Sequence, residues 1–177
     1  MEAGASLSHA HSQIIATPFI PSIPNEEMVA SRNYHNQHKA CVFCDLIKQE
    51  SQTKRLVLNS KHFVVFSPYA SVNSMEFWIV PKRHALNFLS LTTDETEAFA
   101  TTLQTSLRAL KNLLNDPPYN YGIHLALNAE ASDFYHWHLE IYPKLAIWAG
   151  FEKSTGMYIN TVTPETAAEE LQKIIPV

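Results

Sequence analysis

Two cysteines are all that the 177-residue sequence carries, so disulfides between distant segments cannot hold it together. No apolar run approaches the roughly eighteen residues of a membrane span, and Met1 to Ser6 lacks the apolar core of a signal peptide. A cytoplasmic protein with no membrane partner is expected. Neither sign of charge dominates: 13 Lys and Arg stand against 17 Asp and Glu, for a net charge of -4. The basic residues are scattered, which argues against nucleic acid or an anionic membrane as the main partner and leaves room for a small, local phosphate site. Charged residues make up only 17% of the chain against 46% apolar ones, enough to bury one sizeable core, and a single domain is expected.

What is present is an echo. His9-Ala10-His11-Ser12-Gln13-Ile14-Ile15 near the start returns as His136-Trp137-His138-Leu139-Glu140-Ile141-Tyr142 near the end. Two His-x-His segments, each running into apolar residues, read as a strand edge duplicated in an ancestral repeat. Residues 1–40 then hold the tail of a first repeat followed by an extended arm, because Pro18, Pro21, Pro24 and the polar stretch from Ser31 to Lys39 predict little regular structure. Residues 41–177 form the second repeat.

Within that repeat, Arg55 to Leu58, a turn at Asn59-Ser60 and His62 to Phe66 predict a hairpin, with Glu76 to Val80 as a third strand stopped by Pro81. Thr92 and Glu95 form a capping box ahead of Phe99, Leu103, Leu107, Leu110 and Leu114, which recur at helical spacing up to Asp116-Pro117-Pro118. Gly122 to Leu127 and His136 to Tyr142 predict two more strands, and Thr163-Pro164-Glu165 starts a closing helix to about Ile175. The sum is an α+β fold: an antiparallel sheet with a long amphipathic helix on one face and a C-terminal helix.

Two constellations carry chemistry. Cys41 and Cys44, with His84 and His136, offer two thiolates and two imidazoles, a closed tetrahedral shell suited to structural Zn2+. The plainer alternative is a buried thiol pair and two surface histidines; a thioredoxin-like redox pair lacks the βαβ pattern that would surround it. His11 is the candidate nucleophile, able to present a ring nitrogen to phosphorus, with Ser6 and Gln13 beside it as neutral hydrogen-bond donors for phosphate oxygens. Taken alone, a His-x-His near a terminus is more often incidental than catalytic.

The segment from Gly4 to Gln13 resembles the active-site segment of galactose-1-phosphate uridylyltransferases and ADP-glucose phosphorylases, members of the histidine-triad superfamily. Cys41 to Ile47, Val80-Pro81-Lys82-Arg83-His84 and His136-Trp137-His138 resemble the second-half repeat of the phosphorylase-like branch. Ala149 to Lys153 with Thr155 to Asn160 resembles its C-terminal sugar-binding segment. The resemblance implies a histidine-triad-like fold and a hexose-1-phosphate nucleotidyltransferase. Its substrates would be a nucleotide sugar and a sugar phosphate, with His11 taking up the nucleotidyl group, Ser6 and Gln13 holding phosphates, and Gly150, Phe151 and Glu152 meeting the hexose. From the residues alone, Gly150 to Gly156 reads as a glycine-punctuated loop, with a plain surface turn as the alternative.

The uridylyltransferase branch also implies an alternative second metal site at Glu27, His124 and His138, with Glu140 where that branch has its last histidine. Full-length relatives carry a complete first repeat and work as dimers, so the resemblance implies a homodimer or a partner carrying the first repeat, and little activity of this chain alone. Two other readings stay open: a non-catalytic zinc-binding half-module, and a histidine-triad nucleotide hydrolase using His138.

Overall fold

The computed structural model describes residues 4, 9–126 and 129–175. Ser6, assigned to phosphate in the sequence, lies outside the described residues, as does Leu127 at the end of the predicted fourth strand.

Among the described residues, five antiparallel strands build one sheet in the order β1-β2-β3-β5-β4: β1 Leu56–Asn59, β2 Phe63–Phe66, β3 Phe77–Pro81, β4 Tyr119–His124 and β5 His138–Pro143. Side chains alternate between its faces. Phe63, Val65, Phe77, Ile79, Leu139 and Ile141 point to one side, where α3 (Thr93–Leu114) and α5 (Pro164–Ile174) cover them and enclose the main core around Trp137. The expected capping box starts α3: Thr92 Oγ1 accepts from Glu95 N–H, and the Glu95 carboxylate accepts from Thr92 N–H at 2.9 Å. Asn115 in the left-handed conformation ends the helix. Thr163 caps α5, with Pro164 in its first turn.

The other face carries more helix than the sequence suggests. Val64, Phe66 and Val80 pack under Ile47 of α2 (Val42–Glu50), a helix not anticipated from the sequence, and Phe43 of the same helix joins Cys41, Phe134 and Tyr135 in a further cluster. Arg55 ties the end of α2 to α5 by bonding Glu50 at 2.8 and 3.0 Å and Glu165 at 2.8 Å.

Two expectations need correction. Residues 17–40 were expected to form an extended arm, yet Ser22–His38 is a helix, α1. Its prolines do not break it: Pro21 precedes the first turn and Pro24 lies within it, where a backbone N–H has no intrahelical partner to lose. The expected loop after Ala149 is also a short helix, α4 (Gly150–Thr155), ended by Gly156 at φ 69°. Glu152 accepts the Ala149 N–H at 3.0 Å, so this carboxylate caps its own helix. Among the described residues no helix is long and apolar enough to cross a membrane.

Candidate functional site

Strand β5 enters the sheet through His136 and carries His138, Glu140 and Tyr142 at two-residue intervals, so all four side chains fall on the face opposite the main core. The backbone N–H of Trp137 bonds Ala85 O at 3.0 Å, which fixes His136 beside the turn that follows β3. Arg83 braces that turn by forking onto the Glu95 carboxylate at 2.7 and 2.8 Å and reaching Ser90 O at 3.0 Å. His84 leaves the braced turn toward α2, where Cys41 is the N-cap and Cys44 lies in the first turn.

Thus the four residues singled out as metal ligands meet: Cys41 Sγ, Cys44 Sγ and one nitrogen each of His84 and His136 all lie within 4.8 Å of one another. Cys44 Sγ is 3.3 Å from His84 Nδ1 and 3.6 Å from His136 Nδ1. A tetrahedral ion bound at 2.0–2.3 Å requires ligand separations of about 3.3–3.8 Å, so the donors fit one with little movement. Second contacts agree. His84 Nε2 donates to Ser132 O at 2.6 Å, which leaves the Nδ1 lone pair turned toward the thiols. The hydrogen bond between the thiols holds Cys41 well below the usual thiol range and pushes Cys44 up, while burial lowers His136. The lowered Cys41 and His136 suit cation binding, since a thiolate and a neutral imidazole are the ligating forms, whereas Cys44 would give up its proton to the ion.

A second group forms independently. Glu27 of α1, His124 at the end of β4, and His138 and Glu140 of β5 also bring one donor atom each within 4.8 Å of one another. The register of β4 on β5 sets His124 opposite His138, and Glu27 reaches across from α1 to His124 Nδ1 at 3.0 Å. Tyr135 donates to Glu27 at 2.9 Å, His138 Nε2 lies 3.1 Å from Glu140, and Tyr142 hydrogen-bonds Glu140. Glu140, Tyr135 and Tyr142 were not singled out as members from the sequence, although the two-residue period of β5 places Glu140 and Tyr142 there.

Burial opposes the charge on Glu27, but hydrogen bonds from His124 and His138 outweigh it and hold the carboxyl at about 2, below its ordinary 4.5. Burial likewise works against His138⁺, yet Glu140 and Glu27 raise it from 6.5 to about 9. A depressed carboxyl stabilises the fold above its unfolded pKa, so the Glu27 contribution is lost as pH falls from 4.5 through 2. A raised histidine stabilises below its unfolded pKa, so the His138 contribution is lost as pH rises from 6.5 through 9. In Glu27→Gln, melting temperature against pH should show a shallower acid limb and a shallower alkaline limb than the parent. Limbs of unchanged slope would show that the pair is not what sets them.

His138 itself is fully buried, with the ring centroids of Phe43 and Trp78 at 4.7 and 4.9 Å, so its imidazole is not open to solvent in this structure. His11 is different. It is exposed, and its Nδ1 lies 2.8 Å from His9 O. A carbonyl only accepts, so Nδ1 is the donor, and the neutral ring then has its lone pair on Nε2, free of the backbone. Gln13 is also exposed, whereas Gly150, Phe151 and Glu152 form the first turn of α4, and Trp148 and Tyr158, which flank that helix in sequence, pack with centroids 4.7 Å apart.

Known proteins resemble this chain in sequence and fold. The family model described as galactose-1-phosphate uridyl transferase, C-terminal domain, matches residues 27–175. An ADP-glucose phosphorylase from Arabidopsis thaliana is 36% identical over 176 residues, covering 97% of this chain and 49% of the relative. A galactose-1-phosphate uridylyltransferase from Thermotoga maritima is 33% identical over 181 residues, covering 97% and 57%. The crystal structure of an Arabidopsis thaliana ADP-glucose phosphorylase with bound ADP-glucose aligns with a TM-score of 0.89 at 34% identity, over 97% of this chain and 56% of that one. A Zn-bound histidine triad family protein from Mycobacterium smegmatis, at 16% identity and a TM-score of 0.55 over 77% and 94%, shares the fold. The chain spans about half the length of the curated relatives it matches. With its sheet, its helices and 149 of its residues matched, the chain belongs to the galactose-1-phosphate uridyl transferase family through that family's C-terminal domain.

Proposed function

We propose that the chain serves a hexose-1-phosphate nucleotidyltransferase that works through a covalent nucleotidyl group on His11. The observation that supports this most is the 2.8 Å contact of His11 Nδ1 with His9 O: with Nδ1 engaged there, Nε2 is the nucleophilic nitrogen. Nε2 attacks the α-phosphorus of a nucleotide sugar, the N–P bond forms, and the bond from that phosphorus to the bridging oxygen breaks. Hexose 1-phosphate leaves with the oxygen. An oxygen of inorganic phosphate or of a second hexose 1-phosphate then attacks the same phosphorus, the N–P bond breaks, and the imidazole is restored. Ser6 and Gln13 hold phosphate oxygens, and the segment of Gly150, Phe151 and Glu152 meets the hexose.

Zn2+ at Cys41, Cys44, His84 and His136 supplies no chemistry of its own in this reading, because a closed shell of four protein ligands leaves no position for substrate; when bound it cross-links α2 to the sheet. The group of Glu27, His124, His138 and Glu140 is the alternative metal site. The exposed apolar residues of the C-terminal segment, Ile147, Trp148, Phe151, Met157 and Ile159 among them, suit burial against a second copy in a homodimer or against a partner carrying the first repeat. A cytoplasmic setting fits the two free thiols.

The test is transfer of label. The chain, together with a partner carrying the first repeat, is incubated with ADP-glucose or UDP-glucose labelled at the α-phosphate; acid-labile, base-stable label is expected on this chain, with little on the chain alone and none in His11→Asn. The nucleotide that labels identifies the base. Label from neither, or label that survives in His11→Asn, would refute the assignment.

A further inference from the structure

Tyr121 stands on β4, an outer strand of the sheet among the described residues, with 41% of its surface exposed. It alternates with Gly122 and so faces away from His124 and the polar group on the other side. Its hydroxyl is hydrogen-bonded to the hydroxyl of Ser12, 109 residues earlier in the chain. Residues 9–20 are exposed throughout, and the other side-chain hydrogen bonds of that stretch, among the described residues, are local: His9 to Ala10, His11 to His9 and Thr17 to Phe19. Ser12 is the covalent neighbour of His11, with consecutive Cα atoms 3.8 Å apart across a trans peptide. Whatever holds the Ser12 side chain therefore restrains the backbone that carries the imidazole.

We infer that Tyr121 is a positioning residue for His11, anchoring the His-x-His segment to the edge strand through Ser12. The inference rests on the proposed role of His11 as nucleophile. Neither hydroxyl touches the imidazole. Their effect is to narrow the range of backbone positions from which Nε2 approaches phosphorus, and reactivity falls steeply once reacting atoms leave their attack geometry.

Tyr121→Phe removes the hydroxyl and keeps the ring at a partly exposed position, so the fold is expected to survive. Two readouts follow from the wild type, Tyr121→Phe, Ser12→Ala, the double variant and Ser12→Thr. In single-turnover labelling by ADP-glucose or UDP-glucose in the presence of a partner carrying the first repeat, the maximal rate should fall about three- to tenfold, the worth of one hydrogen bond, in Tyr121→Phe and Ser12→Ala. Half-saturating nucleotide sugar should change less than about twofold, the double variant should fall no further than either single one, and Ser12→Thr should recover the rate. In amide hydrogen exchange, residues 10–15 should exchange faster in Tyr121→Phe and Ser12→Ala while the strands keep their protection. If the wild type takes no label, the nucleotidyl-transfer reading fails on its own, and exchange still decides the anchor. Unchanged exchange over residues 10–15 in Tyr121→Phe, or a labelling rate equal to wild type, would overturn the role assigned to Tyr121.

Discussion

Cys41→Ser is expected to remove the zinc from the protein and with it a large part of the stability of the face built on α2. The parent should hold about one zinc per chain when purified without added metal, because the closed shell of Cys41, Cys44, His84 and His136 matches what a tetrahedral ion requires. These ligands come from α2, from the turn after β3 and from the entry to β5, so the ion ties together three segments that the chain separates by 40 and 92 residues. In small zinc domains the apparent binding energy is on the order of 10 kcal/mol. This domain also has a large apolar core, so only part of that is expected to appear as stability. About 3–5 kcal/mol would lower the melting temperature by roughly 6–20 °C at this size. Metal analysis and thermal melts of parent and variant side by side check it. Equal zinc content and equal melting temperature would remove the four residues from consideration as a metal site.

Trp137→Ala should cost about as much by a different route. Trp137 is fully buried in the main core, with its ring edge-on to Phe63, Phe88 and Phe99 at 5.5–6.3 Å. Truncation leaves a cavity bounded by three rings that cannot all close on it, and substitutions of this kind cost about 3–5 kcal/mol. The indole N–H has no hydrogen-bond partner among the described residues, so Trp137→Phe removes volume and an unsatisfied donor together and should cost clearly less than Trp137→Ala. Trp137 also lies between His136 and His138, so the alanine variant should lose zinc more readily to a chelator. Chemical denaturation of the three proteins gives the comparison; equal stability of the alanine variant and the parent would show that Trp137 does not organise the core.

The sequence was most legible where a local rule operates. Thr92 and Glu95 mark the start of α3 because a capping box uses only four consecutive residues, and Thr163-Pro164 marks α5 in the same way. The Cys-His group was legible for a related reason: thiolates and imidazoles at that spacing in a chain with two cysteines have few other uses. Helix α1 was hidden because Pro18, Pro21 and Pro24 read as breakers, and its anchoring through Glu27 to β4 and β5 is a tertiary contact. The helix at α4 had a signal that was read as loop punctuation: Gly156 supplies the left-handed residue that commonly stops a helix. For the Glu27 group, one half follows from strand period along β5. The other half depends on the β4–β5 register, which no stretch of sequence displays by itself.

The availability of His11 and the burial of His138 together make the central claim, since the two His-x-His segments look alike in sequence and differ in access. The most direct test is to mix the chain and a partner carrying the first repeat with ADP-glucose or UDP-glucose, quench under mildly alkaline conditions, digest, and locate the nucleotidyl mass by tandem mass spectrometry. The account predicts the added mass on His11, in the peptide containing His9 and Gln13. The same mass on His138, or none on any histidine, would contradict it.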